Sequence, residues 1–241
     1  MSDHFLRGQQ LLRHTQEYTE SVKLGAESGC VPSMCVYATR LAASNKIHMA
    51  VPWALEGAIR GSVHCTSFLV EMCYQRSKPI GSYALSYYWM KIMNVWDRSV
   101  CTIEQVEHMR DDKGKRCSNC RTPDSATVEL RKCGMCQFYY FCSEECQIEN
   151  WKEPNNHMNE CRQLRILNKY HRPYANEIRE AALNNSSIPA LQKLRNKLGL
   201  TRPREEYYDL IRLDRPHIYR YKKIAARKDG TVYVGSTTKT I

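Results

Sequence analysis

The sequence predicts a mainly α-helical protein that carries one small metal-stabilised segment. Three observations support this prediction. The first hundred of the 241 residues show short amphipathic runs punctuated by Gly and Pro, without a clear strand alternation. Seven of the twelve cysteines fall between Cys117 and Cys161. Hydrophobic residues make up 42% of the chain and charged residues 25%, which is ordinary for a globular protein and argues against wholesale disorder.

Residues 1–110 are predicted to form a helical region with a weak internal repeat. The pattern G-A-x-x-G occurs at residues 25–29 and again at 57–61, and the pairs Ala50-x-x-Trp53 and Ala84-x-x-Tyr87 share a second pattern. The spacings of 32 and 34 residues are typical of solenoids built from paired helices. A plain helical domain in which the two glycine patterns are chance helix ends remains the alternative.

The residue types of the repeat suit helix packing. Gly29 and Gly61 are expected to adopt the left-handed conformation that ends a helix, while Trp53 and Tyr87 are expected to fill the core between helices. The pattern resembles the Sel-like repeat, a tetratricopeptide-related helix pair, over roughly residues 20–95. The polar stretch Asp111–Arg116 follows as the predicted linker.

Eight potential metal ligands lie in four closely spaced pairs between residues 111 and 161, the second predicted domain. Zinc takes four thiolate or imidazole ligands in a tetrahedron, so eight ligands predict two closed, structural Zn²⁺ sites. The spacing alone leaves open which pairs share an ion. The predicted ligands are Cys117, Cys120, Cys133, Cys136, Cys142, Cys146, His157 and Cys161.

This segment resembles a MYND-type zinc finger. The resemblance lies in Tyr140-Phe141-Cys142-Ser143-x-x-Cys146-Gln147, then Trp151, then His157-x3-Cys161. It implies interleaved binding, in which Cys117, Cys120, Cys142 and Cys146 hold one ion and Cys133, Cys136, His157 and Cys161 hold the other. About three residues are inserted between Trp151 and His157 relative to the family, which bears on the peptide-facing side more than on the metal.

The aromatic and aliphatic residues of the finger suggest how it acts. The resemblance implies binding of short, proline-containing peptides, which an exposed aromatic side chain would contact. The alternative is that all of these side chains are core. They are Phe138, Tyr139, Tyr140, Phe141, Ile148 and Trp151.

Five further cysteines are scattered outside the finger and have no second ligand pair nearby. They are predicted to be small apolar core residues. They are Cys30, Cys35, Cys65, Cys73 and Cys101.

Residues 162–241 form the third predicted domain, a basic helical segment that ends in a β-hairpin. This segment carries a net charge of +11, whereas residues 1–110 carry +2 and residues 111–161 carry −2. Helices are predicted from Arg172 through Ala182, from a Ser187 cap to Gly199, and from Pro203. The hairpin is predicted around Asp229-Gly230, between residues 219–227 and 231–234, and must dock because two strands alone are marginal.

The function predicted from these features is zinc-stabilised protein–protein interaction without catalysis. No catalytic or cofactor-binding residue can be named, because the sequence contains no His-x-carboxylate iron motif, no SET-like segment and no phosphate-binding glycine loop. The chain shows no secretory signal and no apolar run of membrane-spanning length, so an intracellular location in cytoplasm or nucleus is expected. The alternative is a nucleic-acid-associated regulator that uses basic residues 220–228.

Overall fold

The computed structural model describes residues 16–74, 83–97, 115–152, 157–201, 222–226 and 232–236. These parts of the chain are mainly helical, as the sequence predicts, with two short two-stranded sheets. No helix among them has the length and apolar character needed to cross a membrane. Residues 111–114 of the predicted linker 111–116, the helix start at Pro203 and the side chains of Cys73 and Cys101 lie outside the described residues.

The N-terminal region is an array of helices joined by short turns. Helix α1 spans Gln16–Glu27, α2 spans Val31–Ala43, α3 spans Ile47–Ile59 and α4 spans Val63–Phe68, which continues as a π-helical segment over Leu69–Tyr74. Helix α5 spans Tyr83–Trp96. Helices α1, α2, α3 and α4 each pack against the next one along the chain.

One turn type ends the first three helices of this array. Gly29, Asn45 and Gly61 have φ values of +93°, +57° and +87°, and each donates its backbone N–H to the carbonyl three residues earlier. The following N–H reaches back five residues, which completes a Schellman motif. The left-handed roles predicted for Gly29 and Gly61 are therefore confirmed. The resemblance to Sel-like repeats stays a prediction.

The finger contributes little regular structure. Strand β1 spans Arg131–Lys132 and pairs antiparallel with β2, Tyr140–Phe141. Helix α6 spans Glu144–Trp151. The remaining backbone between residues 115 and 143 follows tight turns around the cysteines.

The C-terminal region continues directly from the finger. Helix α7 spans His157–Tyr170, a 3₁₀ turn spans Arg172–Tyr174, α8 spans Ala175–Leu183 and α9 spans Pro189–Leu198. The helix predicted from Arg172 and the left-handed end at Gly199, with φ +72°, are confirmed. The predicted N-cap at Ser187 is wrong by one residue. The N-cap is Ile188, because the following Pro189 holds it in an extended conformation, and it makes no side-chain hydrogen bond to the helix.

The predicted C-terminal hairpin is present in the described strands. Strand β3 spans Lys222–Ala226 and β4 spans Val232–Ser236, paired antiparallel from Ala226 with Val232 to Lys222 with Ser236. Strand β3 lies beside α7 and β4 lies beside α3, so the hairpin docks on the helices.

A single hydrophobic cluster runs through the N-terminal helices, the finger and helices α7 to α9. Helix α7 crosses the predicted domain boundary at residue 161, and Tyr87 of α5 packs on Phe138 of the finger with ring centroids 5.2 Å apart. Tyr87 thus contacts the finger as well as the core between helices, while Trp53 packs half-buried against Tyr37. The division into three domains at residues 1–110, 111–161 and 162–241 stays a prediction.

The helices of the array pack closely at a buried cysteine and at a buried carboxylate. Cys30 and Cys65 are buried, as predicted, and Cys35 is half-buried. The Cys65 sulfur lies so close to Gly57 that a Cβ there would come within 2.3 Å of it. Buried Glu56 of α3 accepts bonds from Arg60 and lies 2.7 Å from Nε of Arg195 on α9, which joins the N-terminal and C-terminal helices through one carboxylate.

Candidate metal centre

Group one consists of Cys117, Cys120, Cys142 and Cys146. Their four sulfur atoms all lie within 4.8 Å of one another. The Cys142 sulfur is 3.4 Å from that of Cys120 and 3.6 Å from that of Cys146. The first and third cysteine pairs of the sequence therefore meet at one point.

Group two consists of Cys133, Cys136, His157 and Cys161. Its ligand atoms also lie within 4.8 Å of one another, and all four residues are buried. The sulfur atoms of Cys133 and Cys161 are 3.6 Å apart, and Nε2 of His157 is 3.4 Å from the Cys136 sulfur. The second and fourth pairs meet, so the structure has the interleaved arrangement rather than the sequential one.

The first two cysteine pairs lie on turns of the same kind. Arg121 and Gln137, each four residues after the first cysteine of its pair, have φ values of +66° and +57°. Each donates its N–H to the carbonyl of that cysteine. This geometry folds the backbone tightly enough that two sulfur atoms with only two residues between them face one ion.

The third pair joins a strand end to a helix start. Cys142 follows β2, and Ser143 caps α6 by accepting a bond from the N–H of Cys146 at 3.2 Å. The cap holds Cys146 in the first helical turn, where it faces the same point as Cys142. The first turn of α6 also contains Glu144 and Glu145, which suits the positive end of the helix dipole.

The fourth pair lies in the first turns of α7. His157 and Cys161 are four residues apart, so both side chains lie on one face of the helix. The insertion of about three residues falls within 152–156, of which the structure describes only Lys152. His157 nevertheless takes its place beside Cys136, Cys133 and Cys161.

An aromatic cage holds the imidazole of His157. The rings of Tyr139, Phe141 and Trp151 lie 4.7, 5.5 and 5.2 Å from it, centroid to centroid. Nδ1 is buried and has no hydrogen-bond partner, while Nε2 faces the cysteines. A neutral imidazole that keeps its proton on Nδ1 and offers Nε2 to a metal fits this geometry.

The thiols within each group compete for protons. Hydrogen bonding from Thr122 lowers the pKa of Cys120 to about 6, and the neighbouring Cys120 raises the pKa of Cys142 to about 12. In group two, Cys136 lowers the pKa of Cys133, and Cys133 in turn raises the pKa of Cys136 to about 11. A divalent cation removes this competition because it stabilises every thiolate at once, so the donor sets fit zinc.

The finger also presents an open groove on the side of α6. The groove has a volume of about 690 Å³ and is bordered by β1, β2 and α6. Ile148 lines it with 48% of its surface exposed, beside half-buried Trp151. Phe138 and Phe141 are buried core residues, and Tyr139 and Tyr140 are half-buried, so the six residues predicted from the sequence divide between core and surface.

Two groove residues were missed by the sequence reasoning. Arg131 of β1 and Lys152, just after α6, both line the groove. No sequence signal links them, because they come together only when the strand and the helix meet around the metal groups. The Ser143 cap had a local sequence signal. Serine is a common N-cap residue, because its hydroxyl accepts a hydrogen bond from the backbone N–H three residues later.

Comparison with known families gives one match. The family model described as the MYND finger matches residues 117–161, which covers both metal groups. No curated protein and no solved structure matches the chain. Members of this family are zinc-binding modules that mediate protein–protein interactions. The chain therefore contains a MYND zinc finger at residues 117–161, whose two cysteine-rich groups could each bind zinc.

Proposed function

We propose that this protein is an intracellular, non-catalytic interaction module whose finger is held in shape by two structural zinc ions. The predicted ligands form two closed sets of four, and each set is complete for tetrahedral zinc without a position for substrate. Zinc supplies the folding free energy that so small an apolar core lacks. The scaffold for the finger is the helical array on which it packs.

The groove beside α6 is the proposed binding surface, and the observation that carries the proposal is the exposed Ile148 within it. A half-exposed isoleucine next to Trp151 offers an apolar contact that a partner would bury. Within the described residues, β1 pairs only with β2, so its outer edge is available to an extended chain. A proline-containing peptide suits such a surface because it is already extended and loses little entropy on binding.

Peptide selection tests this proposal. The zinc-loaded full chain is used to select short peptides from a displayed library that contains proline at varied positions. Affinities of the selected peptides are then measured for the wild type and for Ile148→Asp. We expect enrichment of peptides with an apolar residue near proline, and a loss of about tenfold or more in affinity for the variant, equivalent to about 1.4 kcal/mol.

The control for this experiment is Leu183→Asp, which places the same charge at an exposed leucine of α8. It should leave peptide affinity unchanged. Equal binding by Ile148→Asp and wild type would place the interaction elsewhere and contradict the proposal, as would the absence of any enriched peptide. The basic residues 220–228, on which the nucleic-acid alternative depended, have no described side chains, so that alternative gains no support from them.

A further inference from the structure

A second surface of the molecule is basic and lies on the two packed helices α7 and α9. Arg165 and Lys169 are exposed on α7, and Lys193 and Lys197 are exposed on α9. Within each helix the two residues are four apart and share a face. The two helices pack against each other.

The ring of Tyr170 shows that the two faces meet. The ammonium groups of Lys169 and Lys193 each lie 5.4 Å from the centroid of this ring. Cations from two different helices therefore contact the same ring. Cation–π attraction to the ring accounts for the position of each lysine, but the mutual repulsion of the two charges opposes it.

None of the ion pairs found among the described residues involves one of these four cations. The ion pairs found there join Lys23 to Glu27, and Arg60 and Arg195 to Glu56. Helix α9 has no acidic residue, and the acidic residue of α7, Glu160, is bonded to Tyr139. A favourable interaction with the helix dipole explains Lys169 and Lys197, which lie near helix ends, but not Arg165 and Lys193.

The surface also lacks the feature that protein partners usually need. The exposed large hydrophobic residues of the described chain lie on other elements, and neither α7 nor α9 carries one. Protein–protein interfaces have an apolar centre, whereas surfaces that bind nucleic acid are polar and strongly positive.

We propose that this basic face, defined by Arg165, Lys169, Lys193 and Lys197, binds the phosphate backbone of a nucleic acid. The proposed nucleic-acid binding is separate from peptide binding in the groove and does not depend on it. The Tyr170 ring is already occupied by two lysines and packs on the core, so it is not a platform for base stacking. Binding is therefore expected to depend on salt and only weakly on sequence.

Fluorescence anisotropy with a labelled DNA duplex and a labelled single-stranded RNA tests the proposal on the zinc-loaded full chain. Four phosphate contacts predict a log–log slope of affinity against salt of about −3 to −4 for the duplex. The double variant Lys169→Gln/Lys193→Gln should reduce the magnitude of the slope by about two and weaken binding about tenfold or more near physiological salt.

The matched control is Lys46→Gln/Lys91→Gln, which removes the same charge from exposed lysines of the N-terminal array. Lys91 also lies over a tyrosine ring, 5.5 Å from the centroid of Tyr87. The control should bind like the wild type. If Lys169→Gln/Lys193→Gln loses helical signal, Arg165→Gln/Lys197→Gln provides the same test from the outer residues of the face.

Three results would overturn the proposal. A slope near zero would exclude phosphate contacts. Equal weakening by the control variant would show that binding follows total charge and not this face. Equal affinity for a labelled polyglutamate of matched charge would assign the face to acidic polypeptides in general.

Discussion

The two metal groups of the finger have the same number of ligands but very different surroundings. Group one has one exposed cysteine, Cys120, and two half-buried ones, Cys142 and Cys146. Group two is buried at every ligand, and two of its ligands lie on α7. Helix α7 then continues into the main core through Leu164 and Leu167. The difference predicts that group two supports the whole molecule, while group one supports only the first cysteine turn and the start of α6.

The largest expected effect comes from removing a ligand of group two. Cys133→Ser should lose the metal of group two and unfold the finger, because structural zinc contributes on the order of 10 kcal/mol to such a segment. Since α7 joins this group to the core, the helical array should lose stability as well. Elemental analysis and circular dichroism measure both effects. Full zinc content with an unchanged melting curve would show that Cys133 is not a ligand.

A smaller effect is expected at group one. Cys120→Ser should lose one zinc ion per chain but keep the other, with little change in helical signal, because Cys120 is exposed and its group has no ligand on α7. Chelation of the wild type offers a metal-removal test of the same difference. Mass spectrometry of alkylated protein should show the group one cysteines reacting before Cys133, Cys136 and Cys161. Simultaneous labelling of both sets would mean that the groups are equivalent.

A buried histidine follows the C-terminal end of α7, the helix that joins group two to the core, and it should make the folding stability depend on pH. His171 lies among Tyr88, Trp89 and Trp96 of α5, with its Nδ1 2.7 Å from the Tyr88 hydroxyl. Burial lowers the pKa of His171 to about 4, well below its ordinary value. The unfolded chain then binds more protons than the folded one between about pH 4 and 6.5, so folding stability falls as the pH falls through this range.

His171→Gln should remove this dependence. The variant retains a neutral polar group for Tyr88 but cannot take up the proton. The wild type should lose up to about 3 kcal/mol more than the variant between pH 7 and pH 4, measured by urea unfolding. Acid release of zinc affects both proteins and cancels in the difference. Parallel pH curves would show that His171 does not titrate with folding.

The smallest expected effect is a difference in folding stability between alanine variants at two turns of the array. Gly29 and Gly61 share a positive φ, so alanine at either position should cost about 1 kcal/mol. A Cβ at Gly29 meets open space, but at Gly61 it would come within 2.3 Å of the Arg179 side chain. Arg179 lies over Trp96, next to His171.

Gly61→Ala should therefore cost at least roughly 1 kcal/mol more than Gly29→Ala, because the new Cβ clashes with Cβ and Cγ of Arg179, so α8 must shift and Arg179 must leave Trp96. Thermal melts of the two variants measure the difference. Equal melting temperatures would mean that Arg179 moves without a loss of folding stability and does not stabilise this end of α7.

Much of the local structure could be predicted from the sequence. The pairs Cys-x2-Cys, the His157-x3-Cys161 pair and the turn glycines depend on a few consecutive residues, so their geometry is encoded nearby. Asn45 forms the same left-handed turn as Gly29 and Gly61, midway between them, and was not predicted. Asparagine adopts this conformation less readily than glycine, so its signal is weaker.

The position of each element in the tertiary structure could not be predicted from such short-range patterns. Group two, the ion pair between Glu56 and Arg195, and the contact of Lys169 and Lys193 with the Tyr170 ring all join segments that are distant in the chain. Such contacts depend on how helices pack, and helix periodicity shows only that a face is apolar or charged, not what it will touch.

The sequence by itself determined that this protein is mainly helical, that it contains a MYND finger and which eight residues are its candidate ligands. These properties follow from short-range spacing, because a tetrahedral ion and a tight turn each constrain only neighbouring residues. The tertiary structure decided which group is sealed in the core, which finger residues line a groove and which lysines share one surface. Those properties depend on the packing of α7 against α5 and α9, where burial and charge are set by residues far apart in sequence.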